Sequence, residues 1–206
     1  MKFFKPLDKI LNQTAKVQIL RFFIKTGAEW TGRQISKEIE VSPATCHKAL
    51  RQLYKEGLLL FRSVGVGHLY KLNDENYLVK KSLRPLFEQE DGCYLRLKEI
   101  LLKHLGDLAP HKLISAVVFG SVAKKKDRAK SDIDIFLLVK KSGDKDIVEK
   151  KVGLAGAEII KEFGNALSPY IQTVNEFRSK KTKKVPVIRE IIKNNFVIAG
   201  KPLEDA

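Results

Sequence analysis

Apolar positions run on a helical period over the first part of the chain and then change to an extended one. Leu7 to Leu11 fits a short lead-in helix. Thr14 to Thr26 carries Val17, Leu20 and Ile24, with Ile19, Phe22 and Phe23, at helical spacing, and Gly27 ends it. Thr31-Gly32-Arg33-Gln34 opens a second helix, with Ile35 and Ile39 inward. Ser42-Pro43 then supplies an N-cap and a first-turn proline for a third helix. It runs to about Glu56, with Cys46, Ala49, Leu50 and Leu53 on its apolar face, and Gly57 stops it. Leu58 to Leu72 reads as two strands around the tip Val64-Gly65-Val66-Gly67.

The pattern then restarts. Asp74 to Glu88 predicts a connecting helix that Pro85 breaks or kinks. Glu88 to Gly92 is polar and marks the boundary, and Cys93 to Leu105 returns to a strong helical period. Leu113 to Phe119 is an apolar run rich in β-branched residues, which predicts a buried strand. Gly120-Ser121 follows, with Ser121 as cap of a short helix through Ala123 to Lys126. A second strand carries Ile133, Ile135 and Phe136 to Val139, and a helix covers about Asp144 to Phe163. Pro169 to Val174 predicts a third strand, Asn175 to Lys184 a polar, basic stretch, Val187 to Ile192 a last helix and Phe196 to Ala199 a closing strand. The expected fold class is α+β, in two domains over residues 1–88 and 89–206.

Charge narrows the partners. The 206 residues carry a net charge of +15. Residues 1–88 contribute +8 and residues 89–206 contribute +7, so the excess is not one disordered tail. Such a surface favours polyanions. Cys46 and Cys93 are far apart and in no CxxC spacing, which argues against a disulfide frame or a zinc site and points to a reducing cytoplasm. No apolar run is long enough to span a bilayer, and charges interrupt any export signal in MKFFKPLDKI, so no membrane partner is expected.

The chemistry concentrates between Leu113 and Val139. Asp132 and Asp134 lie two apart on a strand, so both carboxylates point to one face. Side by side in an apolar strand they repel, and burial penalises each of them. A divalent cation relieves this; Mg²⁺ typically takes one or two carboxylates plus substrate phosphates. Gly120 and Ser121, at a helix start, offer free backbone N–H groups to an anion, and glycine lets a phosphate approach the backbone.

Phe119-Gly120-Ser121, ten residues, then Asp132-Ile133-Asp134 resembles the signature of the nucleotidyltransferase superfamily typified by DNA polymerase β, and the preceding Ser131 also fits. The resemblance implies Mg²⁺ or Mn²⁺ on Asp132 and Asp134, the β- and γ-phosphates of an NTP at Gly120 and Ser121, and transfer of a nucleoside monophosphate by a two-metal mechanism. Lys124, Lys125, Lys126, Arg128 and Lys130 adjoin the cradle, where related sequences often carry an arginine and a glycine; Lys124 is taken as a nucleotide ligand. The family also uses a third carboxylate as base, on a later strand. In PYIQTV, Gln172 stands about there, and an amide is not a base; Glu176, Glu158 and Glu162 are the substitutes. The acceptor is open among protein, RNA and small molecule.

Three helices and a hairpin over roughly residues 12–73 resemble the winged helix-turn-helix domains of bacterial and archaeal regulators, through Ser42-Pro43-Ala44-Thr45, Ala49-Leu50, Leu53 and Gly57-Leu58. The resemblance implies double-stranded DNA as partner. Thr45 and His47 would reach bases, Lys48 and Arg51 phosphates, and Arg62 and His68 would lie on the wing. Such regulators are often homodimers. The leading reading is a DNA-binding nucleotidyltransferase. The alternatives are a weak or inactive nucleotide-sensing regulator, favoured by the missing carboxylate, and an antitoxin-like protein.

Overall fold

The structure, a computed structural model, describes residues 2–65, 67–90 and 92–205. Val66 of the hairpin tip and Asp91 of the expected boundary lie outside the described residues. The chain forms two compact units, Met1–Gly92 and Cys93–Ala206.

In the first unit, α1 (Leu7–Ile10) leads into α2 (Thr14–Thr26), which Gly27 closes in the left-handed conformation. A short strand β1 (Trp30–Thr31) precedes α3 (Gly32–Glu38). Thr31 and Gln34 form a reciprocal capping box there, satisfying two backbone donors that the helix start leaves free. Ser42 accepts from the Thr45 N–H and Pro43 takes the first turn of α4 (Pro43–Lys55). β2 (Leu59–Val64) and β3 (Gly67–Leu72) form the hairpin, and the antiparallel sheet order is β1-β3-β2. This is a winged helix-turn-helix. Ile19, Leu20, Phe23, Ile35, Leu50 and Leu53 are fully buried between the helices, each worth about 1.5–3 kcal/mol on an area basis. Cys46 belongs to this core, and burial pushes its thiol up to about 11, so it behaves as a small hydrophobe.

The connecting stretch differs from one kinked helix. A π-helical turn spans Val79–Leu83, and α5 (Arg84–Glu90) begins beside it. Pro85 has no N–H to donate, so it sits in the first turn of α5 and the ladder ahead of it widens.

The helix α6 (Gly92–Leu105) starts at the division and belongs to the second unit from Cys93 on. The sheet of this unit holds β4 (Leu113–Val118), β5 (Ile133–Val139), β6 (Leu167–Thr173) and β7 (Phe196–Gly200), in the order β6-β5-β4-β7. Only β5 and β6 run parallel, so the sheet is mixed, and α8 (Lys145–Phe163) supplies the crossover between them. Alternation along β5 splits the core. Ile133, Ile135, Leu137 and Val139 pack with α6 and α8 on one face. Phe136 and Leu138 pack on the other face with Phe177 of α9 (Val174–Thr182) and with Ile188 and Ile191 of α10 (Pro186–Lys193). Asp134 has the parity of Phe136, so it belongs to the α9/α10 face. The polar stretch after β6 is therefore helical, not a loop. Thr173 and Glu176 form a capping box that starts α9, and Phe177 anchors it in the core.

Gly200 has φ +80, and a Cβ there would lie 2.1 Å from the Ile114 carbonyl oxygen of the neighbouring strand. Gly27 is also left-handed, but nothing lies within 4 Å of its would-be Cβ. Gly27→Ala is thus expected to cost only the backbone term, about 1 kcal/mol. Gly200→Ala adds a strand displacement and costs several times more. Urea unfolding of both variants measures the difference; equal losses would mean that the strand absorbs the methyl group.

Candidate functional site

The site forms where β4 hands over to β5. After Val118 the chain turns through Phe119, whose N–H donates to the Asp134 carbonyl oxygen at 3.0 Å. Gly120 follows with φ +73, and a Cβ built on it would lie 2.1 Å from Asp134 Oδ2. Only glycine allows this backbone to press so closely on that carboxylate. The helix that follows, α7 (Gly120–Ala123), is a single turn. Its N-cap is Phe119 and no side chain caps it, so Ser121 lies inside the helix rather than capping it. One turn has almost no macrodipole. What it can offer an anion is its uncapped backbone N–H groups and the cations beside it.

Asp134 lies in β5, and Asp132 stands just before the strand begins. Asp134 is half-buried and Asp132 is exposed. Burial, and then the neighbouring Asp132, push the Asp134 carboxyl above its ordinary value. Among the described residues no cation pairs with either carboxylate. No third acidic, histidine or cysteine ligand joins them among those residues either. Hard oxygen donors, mutual repulsion and a glycine-lined approach fit a magnesium-type ion that completes its shell with water and phosphate oxygens. Ser131 shapes the entry to β5: its hydroxyl accepts from the Arg128 N–H at 3.0 Å, and its carbonyl accepts from Asn165 at 2.8 Å. Lys124, at the end of α7, pairs with Glu190 of α10 at 2.6 Å.

The parallel register places Gln172 away from Asp134, and the carboxylates offered as a base are each paired with cations. Asp134 pairs with Ser168, and Gln172 pairs with Leu138. Gln172 is therefore four residues up the strand, about 13 Å from the level of Asp134. It is buried, and its Oε1 has no partner among the described residues. The position beside Asp134 belongs to Ser168, which is exposed. Glu176 is committed elsewhere: Lys145 at 2.8 Å and the Thr173 N–H hold its carboxyl down at about 2. Glu158 and Glu162 lie on α8, whose apolar side packs on the opposite face of the sheet, and bind Arg96, Lys103 and His104 of α6. Lys103 first, then His104, pull Glu158 down to about 2. The acidic residue that sequence reasoning missed is Glu190. Its signal was an acid beside the apolar stripe of α10 in a strongly basic stretch.

On the first unit, the exposed side of α4 presents His47, Lys48 and Arg51, which line a shallow groove with Ala44, Gln52 and Lys55. The His47 ring rests against Gly32, where a Cβ would come within 2.7 Å of it. Thr45 is tied to the helix cap through Ser42 Oγ at 2.8 Å. Arg62 is not open to a phosphate in this state: its guanidinium grips Glu29 through Nε at 3.0 Å and Nη2 at 2.5 Å. His68 sits on the wing with Nδ1 3.2 Å from Ser63 Oγ, its ring edge-on to Phe61.

The raised carboxyl of Asp134 has a stability consequence. Its folded-state pKa exceeds the unfolded one, so the ionised form penalises folding, and the penalty fades as pH falls through the folded pKa. Asp134→Asn is expected to raise the melting temperature of the ligand-free protein at neutral pH. The gain should vanish in acid, where wild-type Asp134 protonates. Melting curves across pH check this; a loss at neutral pH would mean that the carboxylate is held by protein donors.

The family model described as Polymerase beta, Nucleotidyltransferase matches residues 98–202, just over half of the chain. No curated protein matches it. Among solved structures, reduced HlyU from Vibrio cholerae is 20% identical, with 43% of this chain and 85% of that chain covered and a TM-score of 0.35. A cysteine-to-serine mutant of ZitR from Lactococcus lactis, in complex with DNA, is 21% identical, with 42% and 60% covered and a TM-score of 0.35. A toxin-antitoxin structure with AMP-PNP is 19% identical, with 52% and 77% covered and a TM-score of 0.37. With the family match spanning β4, α7, β5 and β6, the chain belongs to the polymerase β nucleotidyltransferase family, its nucleotidyltransferase fold carried behind a winged helix-turn-helix.

Proposed function

We propose that the second unit binds a nucleoside triphosphate together with Mg²⁺ or Mn²⁺ and transfers its nucleoside monophosphate to an acceptor hydroxyl, while the first unit binds double-stranded DNA. The observation that carries the reading is the contact of Gly120 with the Asp134 carboxylate. It brings a backbone able to receive phosphate next to a carboxylate able to receive the cation. Asp132 and Asp134 hold the metal, which supplies Lewis-acid charge on the phosphate oxygens. Gly120 and Ser121 face the phosphate tail, Ser131 sets the start of β5, and Lys124 supplies countercharge. In the transfer, the acceptor oxygen bonds to the α-phosphorus, the bond to the bridging oxygen breaks, pyrophosphate leaves and the hydroxyl proton passes to solvent.

One observation favours a second reading of the same site. Ser168 stands beside Asp134, and Glu158, Glu162 and Glu176 are bound to cations. Without a carboxylate at that place, no ready base stands beside Asp134 among the described residues, which favours a nucleotide-sensing regulator or an antitoxin-like protein. The enzyme and the nucleotide-sensing regulator both require the nucleotide to bind.

Thermal shift tests the shared claim. Mg²⁺ with saturating NTP, about a hundredfold over the dissociation constant, stabilises by about 2.7 kcal/mol and raises the melting temperature. Asp132→Asn with Asp134→Asn should abolish the shift, and a shift unchanged in that double variant retires the site. Incubation with labelled NTP and cell extract separates the readings: an Asp134-dependent labelled product requires the enzyme, and its absence with binding intact supports the regulator.

The DNA claim rests on Lys48 and Arg51, exposed and without an ion pair among the described residues. Phosphate contacts by such cations provide sequence-independent affinity that weakens with salt. A homodimer would present two copies of α4 to successive major grooves. Lys48→Glu with Arg51→Glu should eliminate gel retardation of genomic fragments; equal retardation by variant and wild type would move the DNA contact elsewhere.

A further inference from the structure

We infer that Glu190 is an internal competitor for the triphosphate: it holds Lys124 in the nucleotide-free protein and gives it up when phosphate arrives. The inference rests on the nucleotide-binding reading above. Lys124 lies one turn after Gly120, and its N–H donates to the Gly120 carbonyl oxygen at 3.2 Å. Residues four apart in a helix lie one above the other, and side chains lean toward the helix start. Lys124 is therefore rooted directly above the glycine that touches Asp134. Its ammonium nevertheless points to α10, where Glu190 Oε1 binds it at 2.6 Å.

Glu190 is prepared for that bond. Asn194, one turn further along α10, donates to the same oxygen at 3.0 Å. Lys124 first, and then Asn194, hold the Glu190 carboxyl below its ordinary value, so it stays ionised. The pair is partly open to water, with side-chain exposures of 39% and 38%. An exposed pair of this kind exchanges partners readily. The surroundings are crowded with positive charge. Residues 124–130 carry five Lys and Arg against Asp127, and residues 178–184 carry five with no acid. The second run ends α9 and leads into α10, on the Asp134 face of the sheet. Within this cluster a carboxylate on the lysine nearest the glycine turn mimics a phosphate oxygen. A triphosphate carries more charge than one carboxylate and takes the ammonium in its place.

The flanking backbone is consistent with a segment that rearranges. Lys125 and Lys130 both hold left-handed φ, +55 and +67, which non-glycine residues adopt at a cost. Both lie within the exposed stretch 124–130 that leads from the end of α7 toward the aspartates.

The test is a double-mutant cycle on NTP affinity, measured with full-length protein, Mg²⁺ and a fluorescent ATP analogue at low salt. Lys124→Ala should weaken binding about tenfold, the loss of one charge-assisted contact. Glu190→Gln should tighten it about threefold, since an exposed pair no longer competes. In the Lys124→Ala background, Glu190→Gln should change nothing. A structural or positioning role for Glu190 predicts the opposite sign, because neutralising it would loosen Lys124 and weaken binding. Weaker or unchanged binding in Glu190→Gln, or independent effects of the two changes, would overturn the inference. Melting of each variant without nucleotide confirms folding, and Glu190→Asp serves as a second variant that keeps the charge and should bind like wild type. If wild type binds no NTP, the nucleotide reading itself fails, and the inference falls with it; if wild type binds and only the Glu190 sign is wrong, the site stands and the competitor does not.

Discussion

The carboxylate of Asp134 lies so close to the backbone of Gly120 that no other residue fits between them. Much follows from that contact. It requires φ +73 at the turn, which only glycine adopts at little cost, and so it fixes how the chain leaves β4. The Phe119 N–H donates to the Asp134 carbonyl oxygen, so backbone and side chain of one aspartate define the turn. Burial raises the aspartate's pKa, and among the described residues no cation pairs with it to offset this. An ionised group in that position costs stability, as expected of the cation ligand proposed above.

The second unit separates its charges by sheet face. On the α6/α8 face, acids and bases pair: Arg96, Lys103 and His104 meet Glu158 and Glu162 across two helices. That network explains why these glutamates are poor candidates for chemistry, since protonation would cost them their partners. On the α9/α10 face the cations of residues 178–184 outnumber the acids, and Asp134 remains unpaired among the described residues. That charge suits this side to the proposed polyanion and its accompanying cation.

Patterns that depend on local spacing could be read directly from the chain. The helix of Thr14 to Thr26, the Ser42-Pro43 start of α4 and the alternation that puts Phe136 and Asp134 on one face are all local facts. The Gly-Ser and Asp-x-Asp pairing was readable for the same reason: its partners are joined by one short connection. The strand register was not. Nothing in PYIQTV says that Ser168 rather than Gln172 lies beside Asp134, because a parallel partner is aligned by the packing of α8 and not by a turn. The capping box at Thr173 and Glu176 was readable, and it would have made α9 a helix and removed Glu176 from the list of bases. The pairs Arg62–Glu29 and Lys124–Glu190 join residues distant in sequence, which no spacing rule reaches.

The most direct test of the central claim is anomalous scattering from crystals grown with Mn²⁺ and a non-hydrolysable nucleoside triphosphate. The account requires a manganese peak bound by the carboxylates of Asp132 and Asp134, with the phosphate tail against Gly120 and Ser121. A nucleotide bound elsewhere, or a manganese peak away from both aspartates, would contradict it.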